Sequence, residues 1–325
     1  MRIGVDLMGS DTSPQVLFEA VLQAIELLES NDTLVIFSTK DIIDYLSIPL
    51  EVKLKIEICI AKDLILMSDD PLVAVRSKKK SSIILGIKEL RRRTLDAFVS
   101  AGNTGALIAA SALYLSKLLK LNRPALLALL PTQKGSVAVI DVGGNISCKA
   151  EHLVQFAEIG SAYQSCNLDI DAPTVGLLNI GTESKKGTLE VQQAYQMLKS
   201  QEEKQFLLSS KPKMLFVGNI EGREVFQGKV DVLVTSGVTG NVLLKTAEGV
   251  AAFIFEQLPK DEQILKLQKQ FSYAEYPGAI LAGIDGIVIK SHGDSSARAM
   301  YNSIKGAITL HRKDFLSKIK ERLNR

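Results

Sequence analysis

Short runs rich in Val and Ile alternate along this chain with longer segments whose apolar residues recur at helical spacing. That alternation leaves few architectures open other than a mostly parallel sheet covered by helices, an α/β fold. Strands are predicted near residues 3–6, 34–38, 56–60, 95–100, 125–130, 137–141, 174–179, 214–217 and 230–235. Between the first two, Val16, Leu17, Ala20, Val21, Ala24, Leu27 and Leu28 mark an amphipathic helix over 14–29, with Ser13 as N-cap and Pro14 in its first turn. Further helices are predicted over 73–90, 106–119, 151–164 and 189–199, with a helical hairpin at 242–258 and 262–271 broken by Pro259, and a helical segment over 294–323. No fixed-period repeat and no linker rich in Gly, Pro or Ser interrupts the 325 residues, so 1–325 reads as one α/β unit with room for two lobes.

Five predicted strands run into turns that carry Gly beside Asn: AFVSAGNTG (97–105), VAVIDVGGN (137–145), VGLLNIG (175–181), MLFVGNIEG (214–222) and VLVTSGVTGN (232–241). Any one such turn is unremarkable. In a parallel sheet, however, strand C-termini open on one side, where α/β proteins bind ligands. Glycine lets backbone N–H groups approach a ligand closely, and the helix N-termini that follow carry partial positive charge, so the pattern favours an anion such as phosphate. Cations for that anion come from AVRSKKKSS (74–82), with Arg76, Lys78, Lys79 and Lys80, and from NIGTESKKG (179–187), with Lys185 and Lys186 after a strand end. Three lysines in a row more commonly make a solvated helix face, whereas the Arg76 guanidinium can grip phosphate bidentately.

Several chemistries lack their residues. There is no GxGxxG after the first strand, no GxxxxGK[ST] and no GxSxG. His152, His292 and His311 are far apart without an HExxH, so no metal is expected. His152 reads as structural, and His292 in KSHGDSSARA is balanced between capping a helix and serving a site. Cys59, Cys148 and Cys166, odd in number and without CxxC spacing, suit reduced core thiols of a cytoplasmic protein. Thirty-nine Lys+Arg against 36 Asp+Glu leave a net charge of +3 in short clusters, too weak a footprint for nucleic acid. The longest uncharged stretch, 98–116, is broken by Gly102, Asn103, Thr104 and Gly105, which suits a strand, turn and helix better than a bilayer span. The opening MRIGVDLMGSD, interrupted by Asp6 and Gly9, is not a signal peptide and is expected to begin the mature chain.

MRIGVDLMGSD with Pro14, AVRSKKKSS, SAGNTGALIAA (100–110), NRPAL (122–126), DVGGN (141–145), EHLVQFAEIGSAY (151–163), VGLLNIGTESKKG (175–187), VGNIEGRE (217–224), TGNVLLKTAEG (239–249), YAEYPGAILAG (273–283) and KSHGDSSARA (290–299) together resemble the PlsX family of bacterial phosphate acyltransferases, in collinear order over residues 1–310. The resemblance implies transfer of a long-chain acyl group from acyl carrier protein to inorganic phosphate, forming acyl phosphate for a membrane glycerol-3-phosphate acyltransferase. It implies a Rossmann-like layered fold similar to phosphotransacetylases and the isocitrate and isopropylmalate dehydrogenases, a homodimer, and no metal or nucleotide cofactor. The implied setting is the cytoplasm, with peripheral contact to the inner face of the membrane.

On this reading Asn103, Lys185, His292 and Asn241 are the catalytic candidates, His292 being the first choice as proton handler. Gly102, Thr104 and Gly105 join Asn103 on the phosphate, with Arg76 and Lys185 as charge partners and Lys186 beside them. Asn145, Asn219 and Asn241 are candidate oxyanion or phosphate donors, Asp6 and Asp11 organise the first loop, and Gly181, Ser236 and Thr239 complete the binding set.

Three features depart from the family pattern: Ser10 where MGGD is usual, SGVTGN (236–241) where DGFTGN is usual, and a hairpin that is shorter and less basic near Pro259 and Lys260. The second makes Ser236 or Thr239 the substitutes for a lost carboxylate. In the hairpin, Val250 to Phe255 suits a dimer bundle or a bilayer surface, and Glu256, Asp261 and Glu262 favour the dimer, since an anionic leaflet would repel them. The basic C-terminal helix, with Phe315, Leu316, Ile319 and Leu323 on one side, packs on the body or docks the acidic carrier protein. The rivals are a phosphotransacetylase using coenzyme A, a metal- and NAD-dependent dehydrogenase on the shared fold, and a non-catalytic membrane adaptor.

Overall fold

The structure, a computed structural model, describes residues 1–118, 123–207, 212–259, 261–271 and 275–324. Asn122 of NRPAL, Lys260 of the hairpin tip, and Tyr273 and Ala274 of YAEYPGAILAG lie outside the described residues. In chain order the elements are β1 (Arg2–Asp6), α1 (Pro14–Ala24), β2 (Thr33–Thr39), α2 (Lys40–Tyr45), β3 (Ile56–Ala61), α3 (Pro71–Ser77), α4 (Ser82–Arg91), β4 (Ala97–Ser100) and α5 (Thr104–Tyr114). There follow β5 (Ala125–Thr132), β6 (Gly135–Ile140), α6 (Ala150–Leu168), β7 (Thr174–Asn179), α7 (Leu189–Leu207), β8 (Leu215–Glu221), β9 (Val232–Val234), α8 (Gly237–Gln257) and α9 (Glu262–Phe271). The last elements are β10 (Ala279–Ala282), β11 (Ile287–Lys290), α10 (Ala297–Arg312) and α11 (Phe315–Asn324).

Two compact units result: Met1–Leu118 with Tyr273–Leu316, and Leu119–Ser272 with Ser317–Arg325. In the first, the strand order is β3-β2-β1-β4-β11-β10, parallel except for β10 against β11. Val5 sits opposite Ile36 on one side and Val99 on the other, all fully buried apolar residues, so burial fixes the register. The rings of Phe37 and Phe98 meet edge to face at 5.5 Å in this core. α4 packs on β1 to β4, while α10 packs on β1, β4 and β11 with α1 against it.

The predicted helix over 73–90 is two helices. Asp70 caps α3 by accepting from Val73 N–H, and the chain then leaves helical geometry so that Lys62 and Asp63 N–H can donate to Lys80 C=O and Lys80 N–H to the Asp63 carboxylate. The predicted C-terminal helical segment is likewise divided, because Asp314 adopts φ +50° between α10 and α11.

The second unit has the order β5-β6-β9-β7-β8, in which β6, β9, β7 and β8 are parallel and β5 is antiparallel to β6. α6 packs on β6, β7 and β9, and α7 on α6, β7 and β8. The strand predicted at 214–217 continues to Glu221: Gly218 takes φ +94° at the level of a register shift between Val175 and Gly176, and this irregularity carries the pairing past the glycine. Asn219 is therefore a strand residue, not a turn residue. The first helix of the predicted hairpin begins five residues early, at Gly237, and buries only Gly237, Gly240 and Leu244. Among the described residues α8 alone is long and apolar enough to cross a membrane by length and composition, and Phe255 meets Phe271 of α9 at 6.1 Å. The cysteines are free thiols, each half-buried rather than in the core.

Candidate active site

In the first unit the loops leaving β1, β4 and β11, three parallel strands, are tied together at their carboxyl ends. Asp6, the last residue of β1, is wholly buried and accepts from Met8 N–H at 2.9 Å and from the Ser100 hydroxyl at 2.8 Å. The Ser100 hydroxyl in turn accepts from Gly102 N–H at 3.1 Å, so one carboxylate shapes both LMGSD and AGNTG. Burial pushes the Asp6 carboxyl up to about 6, against hydrogen bonds from Met8, Ser100 and Ser82 and the charge of Lys290, all of which pull it down. Lys290, also buried, donates from Nζ to Ala101 C=O at 3.0 Å and to Ser291 C=O, and Ser291 N–H donates to Ser100 C=O at 2.9 Å. Asp11, exposed, donates its N–H to Gly293 C=O at 2.9 Å, which brings the first loop beside His292. His292 is half-buried, and its C=O accepts from the Ser295 hydroxyl at 2.6 Å.

Asn103 is 5% exposed and its amide is fully used. Oδ1 caps α5 by accepting from Ala106 N–H at 3.0 Å, and Nδ2 donates to the carbonyls of Leu66, Met67 and Asp69 at 3.1–3.2 Å. It thus holds the 66–69 loop against the turn that carries Gly102, Thr104 and Gly105. Arg76 is exposed on α3. Lys78 of the same cluster pairs with Asp69 at 2.6 Å, holding that carboxylate below its usual range.

In the second unit the turns after β6, β7 and β9 lie at one edge, since these strands run parallel. The best-built is DVGGN. Asp141 is wholly buried, and its Oδ1 accepts from Leu126 N–H at 2.9 Å, Gly144 N–H at 2.8 Å and Gly143 N–H at 3.3 Å, while Oδ2 accepts from Asn145 Nδ2 at 2.8 Å. Burial raises this carboxyl, and the bonds from Asn145, Gly144 and Leu126 restrain it. The start of α8 abuts this turn so closely that a Cβ on Gly237 would lie 2.4 Å from Asn145 C=O, and one on Gly240 1.9 Å from Asp141 C=O. Ser236 caps α8, with Thr239 Oγ1 3.0 Å from its hydroxyl, and Asn241 donates from Nδ2 to Val142 C=O at 3.2 Å. The loop after β7 is pinned by Asn219 Nδ2 on Glu183 C=O at 2.8 Å and Asn179 Nδ2 on Lys186 C=O at 3.0 Å. The Asn219 Oδ1 is buried without a partner. Gly181 is buried in this loop, which presents exposed Lys185 and Lys186.

The sequence candidates thus divide between the units: Asp6, Asp11, Arg76, Gly102 to Gly105 and His292 in the first, and Asn145, Gly181, Lys185, Lys186, Asn219, Ser236, Thr239 and Asn241 in the second. Four residues that organise these loops were not among the candidates: Ser100, Lys290, Ser291 and Asp141. Each ends a Val- or Ile-rich run or directly follows one, which is the signal that could have found them. His152 is structural, its Nδ1 accepting from Lys149 N–H at the start of α6. Among the described residues no group of His, Cys, Asp or Glu side chains could hold a metal ion.

Parallel strands whose carboxyl ends carry glycine-lined, carboxylate-braced turns define a layered α/β protein with its loops gathered at the strand ends. The fold is that of EutD phosphotransacetylase from Staphylococcus aureus, with a TM-score of 0.61 at 16% identity over 96% of this chain and 94% of that one. A phosphotransacetylase from Streptococcus pyogenes gives 0.62 at 16% identity over 97% and 94%. In sequence, the chain is 40% identical over 327 residues to the phosphate acyltransferase of Chlamydia trachomatis, covering 99% of this chain and 98% of that protein. It is 38% identical over 344 residues to the phosphate acyltransferase of Brevibacillus brevis, covering 100% and 98%. The chain belongs to the fatty acid synthesis protein family, whose model matches residues 1–318.

Proposed function

We propose that this protein is a phosphate acyltransferase that moves a long-chain fatty acyl group from acyl carrier protein to inorganic phosphate, giving acyl phosphate for phospholipid synthesis. The observation that carries this reading is identity of 38–40% over essentially the whole chain with proteins named phosphate acyltransferase. In the reaction a phosphate oxygen attacks the thioester carbonyl carbon, a C–O bond forms, and the C–S bond breaks with its electron pair leaving on the thiolate. Phosphate is a heavily hydrated nucleophile, so orienting it beside the carbonyl is the main task, worth roughly 7–11 kcal/mol in favourable cases. A preorganised donor to the developing oxyanion adds about 3–4 kcal/mol.

The proposed roles are divided between the two units. In the first, the Gly102 to Gly105 turn is assigned to phosphate, Arg76 to its charge and His292 to proton handling, with Asn103 shaping the turn through its cap and its hold on the 66–69 loop. In the second, Lys185 and Lys186 supply charge, and Asn241, Ser236 and Thr239 at the start of α8 supply donors. Asn145, whose amide N–H groups go to Asp141 and to Pro124 C=O, acts by holding its loop rather than as a direct donor, while Asn219 ties the loop after β7 through Glu183 C=O and stays a candidate donor. No cofactor is invoked.

The proposed assembly is a homodimer. Val238, Val242, Val250, Phe253 and Ile254 are exposed along α8, an apolar surface that a second copy would cover. A cytoplasmic setting with peripheral contact to the inner membrane face would deliver acyl phosphate to a membrane glycerol-3-phosphate acyltransferase.

The test is release of free carrier-protein thiol from palmitoyl-acyl carrier protein with and without inorganic phosphate, beside palmitoyl-coenzyme A. Phosphate-dependent release from the carrier protein supports the reading. Release from coenzyme A alone replaces it with a phosphotransacetylase, for which the fold likeness speaks, and no release from either donor overturns it in favour of an adaptor.

A further inference from the structure

A cavity of about 310 Å³ opens in the second unit between α6, α7, the residues entering β8, and α11. None of its lining residues belongs to the turns assigned to acyl transfer. It has room for roughly ten waters at about 30 Å³ each, the lower end of the size range of small-molecule sites. Its charged lining is unbalanced: Lys204, Lys213 and Arg322 face one carboxyl, Glu158. Arg322 is fixed at the wall because Nη2 donates to Asp171 C=O and, at 3.2 Å, to Lys213 C=O, while Nε is buried with no acceptor. Burial raises the Glu158 carboxyl, against the pull of Lys213 and a hydrogen bond from Gln201. Lys204 is exposed, so the cavity reaches solvent at that end.

We propose that this cavity binds a small phosphate monoester. Three cations against one carboxylate leave a charge of plus two, the complement of a phosphate monoester, which carries about −1.5 to −2 at pH 7. The guanidinium supplies a fixed positive charge at the wall and lacks an acceptor at Nε, which a bound anion provides on a small adjustment of the side chain. Gln201 and Glu158 offer partners to a hydroxylated carbon body, and Met214 gives it an apolar wall. The inference does not depend on the acyltransferase reading.

The experiment is calorimetric titration of the full-length protein with glycerol 3-phosphate, with inorganic phosphate, succinate and glycerol as comparators. The expected result is saturable binding of glycerol 3-phosphate, tighter than any comparator, weakened at least tenfold in the Lys204→Gln/Lys213→Gln double variant and unchanged in Lys185→Gln. Thermal melts of both variants confirm folding, and the exposed single variant Lys204→Gln, expected to weaken binding severalfold, serves if the double variant does not fold. Absence of binding, loss in Lys185→Gln with retention in the pocket variants, or equal binding of inorganic phosphate or succinate overturns the proposal.

Discussion

The Ser100 hydroxyl bridges two strands' ends, donating to Asp6 at 2.8 Å while accepting from Gly102 N–H at 3.1 Å. The AGNTG turn is therefore held by a buried carboxylate whose ionisation is unfavourable. Burial raises Asp6 from 3.8 to about 6, so the folded chain holds its proton where the unfolded chain has lost it. The stability this contributes is fully present below pH 3.8 and is lost as pH rises through about 6, a change of about 3 kcal/mol. Replacing the acid with Asn removes that titration. Melting temperature measured from pH 4 to 7 is expected to fall less steeply for Asp6→Asn than for the parent, and parallel slopes would refute the assignment.

Asn103 offers a cleaner separation of cap from clamp. In Asn103→Asp the capping oxygen for Ala106 N–H remains, but three carbonyls of the 66–69 loop face a carboxylate instead of an N–H donor. α5 should stay formed while residues 66–69 lose protection in hydrogen exchange. Asn103→Ala should lose both, with about 1–2 kcal/mol of stability gone from the cap alone.

What the chain's residues disclosed, and what they hid, follows from range. The strands up to β9, the Ser13–Pro14 helix start and the glycine turns are local patterns, governed by side-chain period and backbone freedom, and they read directly from the sequence, whereas β10 and β11, four residues each, fall where no strand is predicted. The division of 73–90 into α3 and α4 is not local, since Lys80 leaves the helix for Asp63, a partner seventeen residues away. The candidate site shows the same split. Asn103 and Asn145 stood out by type beside glycine, but that their amides are spent on loop carbonyls and on Asp141 is a tertiary fact. A lysine at a strand end ordinarily points to solvent, whereas Lys290 is 7% exposed, a burial that only the tertiary structure reveals.

Lys185 and Arg76 are exposed, and neither has an ion pair given by the fold among the described residues. Lys185→Gln and Arg76→Gln should therefore melt within about 0.5 kcal/mol of the parent in stability, as surface changes do. Their expected effect is on phosphate: KM for phosphate rising at least tenfold, with KM for the acyl donor changed much less. Unchanged phosphate dependence in both would remove them from the site.

Two of the glycines in α8, at positions 240 and 249, make opposite predictions from one chemical change. A Cβ at Gly240 would lie 1.9 Å from Asp141 C=O and 2.8 Å from Thr235 Cγ2, so Gly240→Ala must push the helix away from the DVGGN turn. Backbone oxygen cannot give way as a flexible side chain would, and a loss above about 2 kcal/mol is expected, with acyl transfer falling alongside. At Gly249 nothing lies within 4 Å, and the residue is inside a helix, where Ala is favoured over Gly by about 0.5–1 kcal/mol. Gly249→Ala should therefore raise the melting temperature and leave phosphate-dependent acyl transfer intact. Because Gly249 lies beside exposed Val250 on α8, sedimentation of this variant also reads the proposed dimer: a stabilised chain that shifts to monomer would mean that the partner copy packs against residue 249 too closely for a methyl group.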